Sequence, residues 1–196
     1  MRELTILLLF VLAYVLYITV IRKYLFLVKI TAKNGKGFLV RNLKDNQKAA
    51  DILSRLSAQL SKLCIYCKEN PEEPRKMNMI NSLDDNFDPL HIIETIPGSS
   101  HVAYSVNKGD ELSICIREEH TEKFMDMNTI MFVSIHELAH IMTPETGHTP
   151  LFWDNMKYLL EQAIKIDIYT PVNYELEPVV YCGMVIDSTP LVFDKK

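Results

Sequence analysis

The residues best suited to chemistry are His136-Glu137-Leu138-Ala139-His140, near the middle of an apolar run from Ile130 to Met142. On a helix, residues four apart share a face, so His136 and His140 point the same way one turn apart, with Glu137 beside them. Their neighbours Ile130, Met131, Phe132, Val133, Ile135, Leu138, Ala139, Ile141 and Met142 spread around the whole circumference, the pattern of a buried helix. Left unpaired, each polar group in such a helix costs roughly 1–3 kcal/mol, and the carboxylate more. A bound divalent metal removes that cost. Imidazole suits zinc, the pair supplies two ligands of an open tetrahedral site, and Glu137 is placed to take a proton from water at the metal. The plain alternative is a pair of core histidines bonded to backbone or carboxylate. It loses ground to a candidate third ligand, His148, which follows Gly147 and precedes Thr149-Pro150-Leu151-Phe152-Trp153.

Two helices and a hairpin must position these groups. Asp126 or Asn128 caps the start of the helix that carries HELAH. Thr149-Pro150 starts a second helix running to about Ile168, with Phe152, Trp153, Met156, Leu159, Leu160 and Ile164 as its packing stripe. Phe152 and Trp153 are read as anchors to the core rather than substrate contacts. Val102, Tyr104 and Val106 alternate with polar or small residues, as do Leu112, Ile114 and Ile116, and Asn107-Lys108-Gly109-Asp110 turns between them. That is a hairpin with one face buried. A strand beside the HELAH helix either just covers it or takes an extended polypeptide as an added strand, and Glu111–Arg117 is the candidate here. Ahead of the hairpin, residues 44–68 repeat apolar positions at steps of three and four, an amphipathic helix ended by Pro71 and Pro74. A shorter helix over Pro74–Leu83 and a strand over His91–Ile96 follow.

The string HELAH, the glycine-histidine pair and the Phe-Trp opening of the next helix resemble the WLM-domain metallopeptidases, relatives of the SprT-like zinc peptidases. The resemblance runs from about Val102 to Met184. It implies His136, His140 and His148 as zinc ligands and Glu137 as general base. The family pattern places its third histidine sooner, in a Gly-Pro-His order, whereas Thr143-Pro144-Glu145-Thr146 lengthens the loop here. Glu145 in that loop and Glu161 on the next helix therefore stand as alternative third ligands, the latter in the manner of gluzincins. The strings YSVNKGDE, IHELAHI, GHTPLFW and YCGM are also similar to proteins of large double-stranded DNA viruses.

At 196 residues the chain holds one ordinary domain and an appendage. Hydrophobic residues at 48% and charged ones at 23% speak for a folded chain rather than a disordered one. A net charge of -4 and the lack of a basic block among aromatics leave no footprint for nucleic acid. Cys64 and Cys67, three apart on a helix face, do not suit a mutual disulfide. All four cysteines, with Cys115 and Cys182, are read as reduced, which fits a cytosolic side.

The run Leu4–Ile21 has 18 residues without a charge, roughly 27 Å of helix, enough for a thin bilayer. Arg22, Lys23, Lys29, Lys33 and Lys36 crowd its downstream flank. That asymmetry predicts the N-terminus outside and the bulk of the protein on the cytosolic side. A buried core helix is the rival reading of this run. The expected organisation is a membrane anchor with its basic flank over 1–30, a linker over 31–43 centred on Asn34-Gly35-Lys36-Gly37, and a peptidase-like domain over 44–196. The fold class is α+β, a minimal zincin in which a β-hairpin or small sheet packs on the HExxH helix behind a single-pass transmembrane helix.

The functional expectation is a membrane-anchored zinc endopeptidase. Tyr104 and Tyr181 are both open as oxyanion-stabilising groups, and Tyr181-Cys182-Gly183-Met184 reads as a plain C-terminal strand or, alternatively, as a turn underlying the site in the manner of the metzincin methionine turn. The alternative is a structural, membrane-tethered component of a virus particle. It would contact capsid or other virion proteins at an internal membrane and have little activity. A non-catalytic adaptor binding peptides along the hairpin is a third reading.

Overall fold

The computed structural model describes residues 2–17, 21 and 25–193. Helix α1 (Arg2–Leu16) is followed by strands β1 (Leu27–Thr31) and β2 (Gly37–Arg41), then the long helix α2 (Asn46–Glu69). A 3-10 turn, Pro74–Lys76, leads into α3 (Met77–Asn86), which is followed by β3 (Ile92–Glu94), β4 (Ala103–Val106) and β5 (Glu111–Ile114). Helices α4 (Met127–Met142) and α5 (Pro150–Lys165) come next, and β6 (Val179–Tyr181) and β7 (Met184–Ile186) close the chain.

Five strands form one sheet in the order β1-β2-β3-β5-β4, antiparallel at its two margins and parallel across β2, β3 and β5. The chain passes beyond β3 to lay down β4, then turns back so that β5 fills the gap between them. Helix α2 covers β1, β2 and β3, and α4 covers β4 and β5. Its period of three and four explains α2: Ala49, Leu53, Leu56, Leu60, Leu63 and Cys67 are all buried. Helix α4 is buried around almost its whole circumference, as its uninterrupted apolar run requires. Asp126 caps it by accepting from the Thr129 N–H at 3.0 Å. Asn128, the other candidate cap, instead exchanges hydrogen bonds with the Thr170 backbone.

The expected linker over 31–43 is corrected. Asn34 and Gly35 lie in the tight turn of a β-hairpin, and the Phe38 and Val40 side chains of β2 are buried in the core. The ordered domain thus takes in β1 and β2. The substrate-pairing strand is also corrected: β5 has β3 on one side and β4 on the other, so of the two edge strands, β1 and β4, the one beside the histidines is β4.

Part of the expected span over 4–21 falls on residues 18–20, outside the described residues. Helix α1 has 15 residues, about 22 Å at 1.5 Å per residue, and among the described residues no helix is long and apolar enough to cross a membrane. Its apolar side chains from Leu4 to Leu16 are exposed, which removes the rival reading of a core helix.

A charged cluster that local sequence pattern does not reveal sits inside the sheet. Glu94 at the end of β3 accepts from the Arg41 N–H and Nε at 2.8 Å each, and from Arg117 Nε at 2.8 Å and Nη2 at 2.6 Å. The guanidinium of Arg41 also donates to the Arg117 carbonyl, and that of Arg117 to the Arg41 carbonyl. All three residues are buried.

Candidate metal centre

The Nε2 atoms of His136, His140 and His148 lie 3.1–3.2 Å from one another. Tetrahedral ligands at about 2.0–2.1 Å from a zinc ion are roughly 3.3 Å apart, so the three rings converge at the spacing such an ion requires. Two come from successive turns of α4. The third is delivered by the short loop to α5, and among the described residues these three make up the sole cluster of metal-ligating side chains. The Phe152 ring packs against all three imidazoles at centroid distances of 4.9, 4.3 and 4.8 Å. Burial, reinforced by the neighbouring rings, holds His136 down to about 3. Burial and the nearby His148 and Lys108 hold His140 down to about 4. Both imidazoles are therefore neutral, the form that binds a metal, across the physiological range.

The alternative third ligands do not converge. Glu145 lies on the rim of the cleft and Glu161 pairs with Lys157 on the outside of α5. Glu137 is buried beside the triad. Burial pushes its carboxyl up to about 7, opposed by a hydrogen bond from the backbone N–H of Ser105 on β4. A carboxyl poised near neutrality suits proton transfer.

Two networks hold the loop that carries His148. Thr143, the C-cap of α4, donates its hydroxyl to the Ala139 carbonyl and accepts from Asn155 Nδ2 at 3.0 Å. Asn155 in turn accepts from the buried Lys76 ammonium. From the other side, Lys108 Nζ donates to the carbonyls of Thr143 and Pro144 at 2.8 and 2.5 Å. Lys108 reaches them from the β4–β5 turn, where Asn107 and Lys108 both adopt left-handed φ values of 46° and 59°. Gly109 ends that turn so close to the Asn86 backbone that a Cβ would meet its carbonyl oxygen at 2.4 Å, which excludes any larger residue. Neither Lys108 nor Asn155 stands out in sequence, because their partners lie 35 and 12 residues away.

The triad opens into a cleft of about 1110 Å³. The edge of β4 and its flanks, from Ser100 to Lys108, form one side, and the segment Cys182–Ser188 forms another. Trp153, read from sequence as a core anchor, also lines the cleft and is 39% exposed, whereas Phe152 is buried. Tyr104 lines the cleft too. Tyr181 is fully buried with its hydroxyl donating to the Cys115 carbonyl, so it is not free to meet a substrate. The segment after Tyr181 is a tight turn between β6 and β7, with Cys182 and Gly183 at φ 49° and 85°. Met184 is exposed on the cleft wall rather than packed beneath the histidines.

The reading of four reduced cysteines is corrected in part. Cys115 and Cys182 form a disulfide whose Cα atoms are 6.5 Å apart, while Cys64 and Cys67 are free and buried. The pair spans 67 residues, so it depends on the tertiary fold and carries no local spacing signal.

The WLM domain model matches residues 91–177, which include α4, the loop and α5. Uncharacterised protein R325 of Acanthamoeba polyphaga mimivirus is 35% identical over 155 residues, covering 79% of each chain. Protein 042R of Invertebrate iridescent virus 3 is 35% identical over 85 residues, 43% of this chain and 50% of that one. Among solved structures, Wss1 from Saccharomyces cerevisiae matches with a TM-score of 0.50 at 20% identity, over 65% of this chain and 87% of that one, a likeness of fold. The long alignment with the mimivirus protein and the WLM model matched across the HExxH helix and the His148 loop place this chain in the WLM-domain family, together with viral relatives.

Proposed function

We propose that the chain is a zinc-dependent endopeptidase whose ion is held by His136, His140 and His148. The observation that carries this reading is the convergence of three Nε2 atoms at tetrahedral spacing beside a buried carboxylate. Zinc held by the three histidines would supply Lewis-acid chemistry, polarising a carbonyl and acidifying water. Glu137, buried beside them, would carry a proton from the attacking water to the leaving amine. The Ser105 N–H orients the Glu137 carboxylate from the neighbouring strand. The free edge of β4 pairs with an extended polypeptide and lays its scissile bond across the histidines. Phe132, Val133 and Met156, all buried, supply apolar lining to the same cleft.

Residues 4–21 attach the protein to a membrane in this reading. The support is the all-round exposure of apolar side chains on α1, which leaves that helix unpacked against the domain. The basic flank after residue 21 favours the domain on the cytosolic side, whereas the Cys115–Cys182 disulfide favours an oxidising compartment; a virus-internal membrane facing the capsid is the corresponding site in a particle. Co-sedimentation of the full chain with liposomes, lost on deleting residues 4–21, tests the attachment.

Glu137→Gln tests the chemistry. It should abolish hydrolysis of a peptide mixture while leaving zinc content at one per chain. Hydrolysis that persists in Glu137→Gln at the wild-type rate contradicts the assignment. A zinc-loaded wild-type protein without hydrolysis, bound stoichiometrically to shell proteins in particles, would favour the structural virion reading instead.

A further inference from the structure

The hairpin β6–β7 makes an unusual wall. It is fastened inward by Tyr181 and Ile186, which are 0% and 7% exposed, by the Tyr181 hydroxyl bonded to the Cys115 carbonyl, and by the disulfide from Cys182 to Cys115. Cys115 directly follows the last residue of β5, so the hairpin is tied to the strand next to the edge strand β4. Its exposed side chains are nonetheless apolar. Val180, Met184 and Val185 are 66%, 46% and 57% exposed, and from Val179 to Ile186 there is no charged residue.

A short two-stranded hairpin gains nothing for its own stability by presenting such residues to water, and a cluster of exposed apolar side chains marks a surface that is covered by something else. Met184 and Val185 also line the cleft, alongside His136, His140 and Trp153. The apolar surface is thus continuous with the candidate active site. A polypeptide paired to β4 projects alternate side chains to opposite faces, so those directed across the cleft meet this hairpin.

We propose that β6–β7 is the specificity wall of the cleft and selects polypeptide segments carrying apolar side chains close to the bond over the histidines. The proposal rests on the peptidase reading for what happens to the bound segment, and on the cleft alone for which segment binds. The disulfide and Tyr181 hold the wall in place, and Met184 and Val185 supply the contact.

Binding separates the two ideas. Full-length, zinc-loaded Glu137→Gln protein would be titrated by fluorescence anisotropy into labelled decapeptides whose central residues are Leu, Met and Phe, and into matched peptides with Ser, Asn and Asp there. The apolar set should bind at least tenfold more tightly. Adding Met184→Glu and Val185→Glu, at exposed positions that leave the core intact, should erase that preference with zinc content unchanged. Val185→Ile should retain it. Equal affinity for the two sets, or a preference that survives the paired glutamates, overturns the proposal. So does an effect of the glutamates confined to self-association or vesicle binding, which would assign the face to a second copy or to lipid. Hydrolysis by the wild type without apolar preference would sink this proposal and leave the peptidase reading standing. Selective, hairpin-dependent binding without hydrolysis would do the reverse.

Discussion

Replacing Glu94 by glutamine removes one buried negative charge from between two buried guanidinium groups. The carboxylate accepts four hydrogen bonds, at 2.6–2.8 Å, from Arg41 and Arg117. All three residues are at most 4% exposed, so water cannot take over the role of the lost charge. Glutamine keeps one oxygen acceptor and turns an NH2 group toward donors that need acceptors. Breaking a buried ion pair in this way costs about 3–5 kcal/mol, a large share of the roughly 5–15 kcal/mol that holds a typical domain together. With a urea dependence of roughly 2 kcal/mol per M, the unfolding midpoint should fall by about 2 M. Circular dichroism during urea titration measures it directly. Adding Arg117→Met to Glu94→Gln should recover part of the loss, because it removes one of the two stranded cations. A midpoint shift below about 0.5 M, roughly 1 kcal/mol on that slope, would refute the reasoning by showing that the cluster is hydrated. Equal damage in the double variant would refute the charge argument in particular.

Three further outcomes follow from the geometry. Lys108→Met should weaken zinc binding about fivefold to tenfold, less than the 10–100-fold expected for a partner bonded to a ligand itself; Lys108→Arg should restore it, and competition with a chromophoric chelator reads both. Asp126→Ala removes the cap of α4 and should cost about 1 kcal/mol, seen as a fall in Tm of about 2–4 °C. Burial pushes the Cys67 thiol up to about 12 and raises Cys64 as well, so the folded protein should resist iodoacetamide at pH 8. Mass spectrometry should count two labels after unfolding without reductant and four after reduction; labelling of Cys115 or Cys182 without reductant would show that the disulfide is not formed.

What sequence made legible was local. The HExxH spacing, the continuous apolar surface of α4, the caps Asp126 and Thr149, and the β4–β5 hairpin all rest on residues within one or two turns of each other. What it hid was pairing across distance. Asn34-Gly35 is as good a hairpin turn as a linker, and the choice depends on the burial of Phe38 and Val40 under α2. That β5 is internal depends on β3 arriving beside it from an earlier part of the chain. Arg41, Glu94 and Arg117 are separated by 53 and 23 residues and carry no local pattern. His148 lies between the two regimes. Its residue type was a plain signal, whereas its position depends on Lys108, Asn155 and Phe152.

The most direct test of the account is the zinc content of the full chain beside that of His148→Ala, measured by native mass spectrometry after reconstitution. The account predicts one zinc per wild-type chain and its loss or severe weakening in the variant. No zinc in the wild type, or one zinc held equally well without His148, would contradict it.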